Sequence, residues 1–134
     1  MTAALTAGSW RQAFHAAESS FTLVGFSFGA LVGLRVGCAD PRVGLLVGVG
    51  LAANNSDFSF LRRCAKPKLI VQGTRDPYGS PDAVSAAVAA AAEPKELRWV
   101  EGADHFFSGR LEKLRAALET HLRKVLGETT DAHG

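Results

Sequence analysis

A chain of 134 residues, 47% apolar and 21% charged, can bury one real core and needs no second domain. Its net charge of +2, with acids and bases interspersed, offers no basic stripe of the kind that nucleic acid binding requires. Met1 to Trp10 lacks a positive start followed by an apolar core, and the longest apolar run, Val43 to Ala53, is too short to span a bilayer; a soluble, cytoplasmic protein with no membrane partner is expected.

In chain order, Ser9 can cap a short helix carrying Trp10, Phe14 and Ala17 on one face, and Phe21 to Val24 reads as a strand. Gly25-Phe26-Ser27-Phe28-Gly29 follows as a sharp turn, and Phe28 to Ala39 as a helix. Gly29, Gly33 and Gly37, four apart, predict a bare stripe that lets this helix lie close on a sheet, against a propensity cost of about 1 kcal/mol per glycine. Asp40-Pro41 ends the helix. Val43 to Val49, apolar throughout, fits a parallel strand covered on both faces. Ala52 to Lys66 reads as a loop with at most a short helix.

Pro67 opens a strand over Lys68 to Gln72, followed by Gly73-Thr74-Arg75-Asp76-Pro77. Ser80, Pro81 and Asp82 then form a helix start, the Ala-rich run continues to Ala92, and Pro94 lies beyond it. Glu96 to Val100 alternates polar and apolar residues like an edge strand. A loop through His105 leads to a final helix with Leu111, Leu114, Leu118, Leu122 and Val125 on one face; from Gly127 the tail is polar and expected to fray. Cys38 and Cys64 stand in no CxxC pattern and near no histidine cluster, and read as reduced, buried thiols rather than a disulfide or metal ligands.

The pattern predicts an α/β domain with a parallel sheet of about four strands flanked by helices, in which ligands bind beyond the C-terminal strand ends. Ser27, Asp76 and His105 each follow such an end. A serine hydroxyl becomes a nucleophile when a histidine takes its proton, and the histidine needs a carboxylate to fix its tautomer. These three residues can fill those roles, in the order Ser, Asp, His that accompanies a Gly-x-Ser-x-Gly elbow on an α/β sheet. The backbone N–H of Phe28 can hold one side of an oxyanion.

Asp57 and Asp104 are rival acids. Asp57 can close its own Asp-x-Ser turn, and Asp104, adjacent to His105, fits better as a brace for the loop. His15, His121 and His133 read as solvated. Phe26, Phe28, Phe106 and Phe107 flank the nucleophile and base, either as walls of an acyl pocket or as core aromatics.

The stretches GFSFGA, KPKLIVQGTRDPYGSP and VEGADHFFSGRLEKL together resemble the C-terminal half of the α/β-hydrolase fold, most of all its small, cap-poor bacterial esterases and dienelactone-hydrolase-like members. The resemblance spans residues 21 to about 126. It implies a single domain lacking its N-terminal strands, a serine esterase triad of Ser27, Asp76 and His105 acting on a small acyl substrate, and no metal or cofactor. It also implies that a second oxyanion donor comes from an upstream loop. The strand at Phe21 then becomes a sheet edge, which points either to a truncated gene product or to a half-domain that completes its sheet by self-association as a homo-oligomer, and a weakened or inactive fragment is the alternative to a working enzyme.

Overall fold

In the computed structural model, which describes residues 10, 13 and 21–126, four parallel strands form one sheet in the order β1-β2-β3-β4. They are β1 (Phe21–Phe26), β2 (Val43–Val49), β3 (Lys68–Gly73) and β4 (Lys95–Val100). Three helices connect or follow them: α1 (Phe28–Ala39), α2 (Pro81–Ala90) and α3 (Leu111–Leu126), with a 3-10 turn over Ser59–Arg63. The expected four-stranded parallel sheet is thus observed. Trp10 and Ala13 are helical, as predicted; the rest of that first helix, with Phe14, Ala17 and His15, and the tail from Gly127, with His133, lie outside the described residues.

Each face of the sheet carries its own core. On one, Leu46 and Ile70 pack with Ala30 and Leu34 of α1 and Val84 and Val88 of α2. On the other, Leu45, Val47, Leu69 and Val71 pack with Trp10, Phe107 and Val125, and with Leu114, Leu118 and Leu122 of α3. This explains the unbroken apolar reading of β2, every residue of which is buried.

The helix signals act as read. Ser80 Oγ accepts from the Ala83 N–H at 3.2 Å, with Pro81 in the first turn. Asp57 closes its own turn, accepting from the Ser59 N–H at 2.8 Å. Lys68, fully buried at the start of β3, turns its ammonium onto the carbonyls of Cys64, Ala92 and Pro94, and burial pushes its pKa down to about 8.

Three expectations are corrected. Cys38 and Cys64 form a disulfide, with Cα atoms 5.6 Å apart across 26 residues of sequence, because the 3-10 turn folds back onto the last turn of α1. The glycine stripe is only partly a contact surface. A Cβ on Gly29 would meet nothing within 4 Å, and one on Gly33 would make ordinary contact with Leu23, while one on Gly37 would collide with Leu46. The tightest approach of helix to strand is instead at Gly25, where a Cβ would sit on the Gly29 carbonyl and 2.8 Å from Ala30 Cα. Finally, His121 is fully buried, edge-on to Trp10 with ring centroids 4.6 Å apart.

Gly29→Ala should therefore stabilise the protein by up to about 1 kcal/mol. Gly25→Ala should destabilise it by about 3 kcal/mol, since backbone must move. Urea titration of both variants checks the pair.

His121 gives a pH dependence. Its Nδ1 lies 3.3 Å from Glu96 Oε1, yet neither ring nitrogen has a hydrogen-bond partner among the described residues. Burial lowers its pKa to about 4, overriding the pull of Glu96, with Lys124 and Arg98 adding to the lowering. The unfolded chain thus binds this proton at a higher pH than the folded one. The corresponding stability, a few kcal/mol at most, is present above about pH 6.5 and lost as the pH falls toward 4. The unfolding midpoint should drop through that window, and His121→Phe should flatten the drop.

Candidate active site

The turn between β1 and α1 places Ser27 at φ 58° and ψ −123°, a conformation uncommon for any residue with a side chain. Its neighbours enforce this. The Ser27 N–H donates to the Val49 carbonyl of β2 at 2.9 Å, and its own carbonyl accepts from the Ala30 N–H at 2.9 Å. The hydroxyl is consequently lifted above the strand ends, and Phe28, at the first position of α1, has no helical carbonyl four residues back for its N–H.

The loops after β3 and β4 bring Asp76 and His105 to that hydroxyl. His105 Nε2 lies 2.8 Å from Ser27 Oγ, and His105 Nδ1 lies 2.8 Å from Asp76 Oδ2. Asp76 and His105 are only 3% and 5% exposed, so the two are locked rather than mobile surface groups. The other Asp76 oxygen accepts from the Tyr78 N–H at 2.8 Å. Asp57, whose carboxylate is held by its own Ser59 turn, takes no part in this contact chain. Asp104 Oδ1 accepts from the Phe106 and Ser108 N–H groups at 3.0 and 2.9 Å and braces the loop that carries His105, and these hydrogen bonds, chiefly that of Ser108, lower its pKa.

Of the four aromatics that flank the nucleophile and base in sequence, two lie against His105. Phe26 lies tilted against the His105 ring and Phe106 edge-on to it, with centroids 5.2 and 5.1 Å away, both exposed, while Phe28 is 71% exposed at the start of α1. Phe107 does not belong with them. It is 1% exposed and packs beneath the sheet with Trp10 and Val125, because its φ of 56° turns its side chain into the core.

The sequence reading missed three residues. Tyr78 stands edge-on to His105 at 4.7 Å. Gly50 has φ +69°, and a Cβ there would press within 3.4 Å of the His105 and Phe26 rings; its place after an apolar strand was the available signal. Gln72, fully buried in β3, is the third. Its amide nitrogen donates to Asp76 Oδ2 at 3.1 Å and faces the carbonyls of Leu51 and Gly79, while its oxygen accepts from the Leu51 N–H at 2.7 Å. It ties the loops after β2 and β3 to the carboxylate that holds His105. A polar residue inside an otherwise apolar strand was its signal.

With this geometry in view, comparison with known proteins places the chain. The sequence profile described as an alpha/beta hydrolase domain matches residues 7–132. The chain belongs to the α/β-hydrolase family. It is similar to a putative α/β hydrolase from Agrobacterium tumefaciens, with 30% identity and a TM-score of 0.75 over 91% of this chain and 58% of that one. It is also similar to XC6422 of Xanthomonas campestris, described as an α/β serine hydrolase without lid, with 33% identity, a TM-score of 0.70 and coverage of 81% and 49%. An uncharacterized protein of Rickettsia prowazekii is 29% identical over 121 residues, covering 84% of this chain and 51% of the relative. This α/β hydrolase chain therefore spans about half the length of its relatives.

Removing the Gln72 amide orphans buried groups on two loops at once. Gln72→Leu should cost about 2–3 kcal/mol of stability in urea titration, more than a volume-matched substitution in the same strand would.

Proposed function

We propose that this protein is a serine hydrolase that cleaves a carboxylic ester, or a similar small acyl substrate, through an acyl-enzyme. The single observation that carries the reading is the unbroken chain of two 2.8 Å contacts from Ser27 Oγ through His105 to Asp76. In this mechanism Ser27 Oγ attacks the acyl carbonyl as His105 Nε2 takes its proton, while Asp76 accepts from His105 Nδ1–H and stabilises the imidazolium. The Phe28 N–H, aided by the positive end of α1, faces the developing oxyanion. His105 then returns the proton to the leaving alcohol, and water, activated by the same imidazole, releases the acid. The residues supply nucleophile, base and charge stabilisation, so the reaction as proposed uses no metal or cofactor.

The exposed rings of Phe26, Phe28, Tyr78 and Phe106 suit a substrate with an apolar acyl or alcohol part. Nucleic acid and membrane are not among the proposed partners; among the described residues, no helix is long and apolar enough to cross a membrane. The proposal places the reaction in the cytoplasm, although the Cys38–Cys64 bond pulls the other way, because cytosolic thiols are generally kept reduced.

A second reading, a catalytically weak or inactive module that keeps the contact chain, is favoured by the half-length match to the relatives. A fluorophosphonate probe separates the readings. Labelling of the intact chain, with ester turnover that falls at least about 10⁴-fold in Ser27→Ala, supports the hydrolase. Labelling without turnover supports the weak module, and no labelling overturns the assignment of Ser27.

A further inference from the structure

Asn54, in the loop after β2, is an exposed residue that makes three hydrogen bonds to one short segment. Its backbone N–H donates to the Tyr78 carbonyl at 3.0 Å, its Nδ2 donates to the Pro77 carbonyl at 3.1 Å, and its Oδ1 accepts from the Ser80 N–H at 3.0 Å. Three residues earlier, both peptide groups of Leu51 meet the Gln72 amide. Neither the Asn54 nor the Gln72 side chain hydrogen-bonds to Ser27 or His105, and both lead to Asp76. We propose that Asn54 and Gln72 are positioning residues, each fixing one oxygen of the Asp76 carboxylate, and that together they keep His105 in its Nδ1–H tautomer. The inference rests on the reading of His105 as the base of the proposed hydrolysis.

The Gln72 arm holds Oδ2. A backbone N–H can only donate, so the Gln72 atom 2.7 Å from the Leu51 nitrogen is the amide oxygen. Nε2 then faces three acceptors, Asp76 Oδ2 and the Gly79 carbonyl at 3.1 Å and the Leu51 carbonyl at 3.2 Å. Turned over, the amide would set its oxygen against those three acceptors and its NH₂ against the Leu51 N–H. Gln72 therefore presents hydrogen to Oδ2, and its full burial leaves no water to replace it. The approach is close enough that a Cβ on Gly79 would overlap the Leu51 carbonyl and stand 2.7 Å from Gln72 Nε2.

The Asn54 arm holds Oδ1 at one remove. That oxygen accepts from the Tyr78 N–H at 2.8 Å, and the position of this N–H is set by the Pro77–Ser80 segment that Asn54 grips. With both oxygens held, rotation about the Asp76 Cβ–Cγ bond would break a hydrogen bond at each, so Oδ2 stays aimed at His105 Nδ1, 2.8 Å away. An ionised carboxylate only accepts, which places the hydrogen of the neutral ring on Nδ1 and leaves Nε2 bare toward Ser27 Oγ. If the carboxylate turned away, the neutral ring would be free to carry its hydrogen on Nε2, and a nitrogen that already carries one cannot take the serine proton.

Nitrogen NMR of the full chain, labelled at histidine and recorded where the ring is neutral, tests the proposal without reference to turnover. The His105 signals, identified by their absence in His105→Gln, should show Nδ1 protonated and Nε2 bare in the wild type. Asn54→Ala, at an exposed position and with the backbone hydrogen bond to Tyr78 kept, should fold with an unchanged circular dichroism spectrum and show a share of the Nε2–H form. Gln72→Leu should show the same. In ester turnover each should lower kcat by up to about 10²-fold with KM about level. A variant chain that keeps the Nδ1–H form throughout overturns the proposal, even if kcat falls, because such a loss would be merely structural. A wild type with hydrogen on Nε2 overturns it too. A tautomer change in a chain whose Ser27 no fluorophosphonate labels would uphold the positioning and sink the hydrolase reading alone.

Discussion

The backbone of Ser27 is the constraint on which the rest of the structure depends. A non-glycine residue held at φ 58° costs on the order of 1–3 kcal/mol, and it persists because its surroundings leave no alternative. Strand β2 takes its N–H, the first turn of α1 takes its carbonyl, and the missing side chain of Gly25 lets that turn seat against β1. Relaxing any of the three would swing the hydroxyl away from His105. The β1–α1 junction therefore trades local strain for the position of one oxygen atom, and the two cores on either side of the sheet supply the stability that sustains it.

Much of this was legible in the sequence because it rests on local chemistry. Strand β2 is apolar at every position because both of its faces are covered, and α2 starts where Ser80 and Pro81 require. Ser27, Asp76 and His105 could be found because each stands just after a strand signal, where a parallel sheet exposes its loops. Gln72, Phe107, His121 and the two cysteines were misread or missed for a common reason. Their meaning lies in partners distant along the chain: Leu51 for Gln72, Trp10 for His121, and Cys64 for Cys38. Periodicity says that a residue is buried or exposed; it does not say against what. Phe107 shows the limit most plainly, since a single positive φ sends it to the opposite side of its loop from Phe106.

The two edges of the sheet end differently, and the difference is physical. Strand β4 carries Lys95, Glu96 and Arg98; Glu96 and Arg98 pair with each other, and Lys95 reaches back to the last carbonyls of α2. Charged and occupied in this way, an edge resists pairing with another strand. Strand β1 has neither a charge nor a proline, and the helix beside it repeats the same apolar character at Phe28, Val32 and Val36. An edge left unguarded on both backbone and side chain has the composition of an interior strand. That composition is what sets the β1–α1 face apart from every other part of the described surface.

The order β1-β2-β3-β4 also explains how a chain half as long as its relatives can hold the whole contact chain. Strands β1, β3 and β4 each end in one of its members, and β2, which ends in none, supplies the backbone on which they rest. The Val49 carbonyl holds Ser27, Gly50 clears the space beneath His105, and the Leu51 peptide groups anchor Gln72 and through it Asp76. The contact chain is therefore built from one contiguous run of the fold. The exposed rings of Phe26, Phe28, Tyr78 and Phe106 sit above that run and do not support it. Whatever is set against those rings therefore leaves the Ser27–His105–Asp76 geometry fixed.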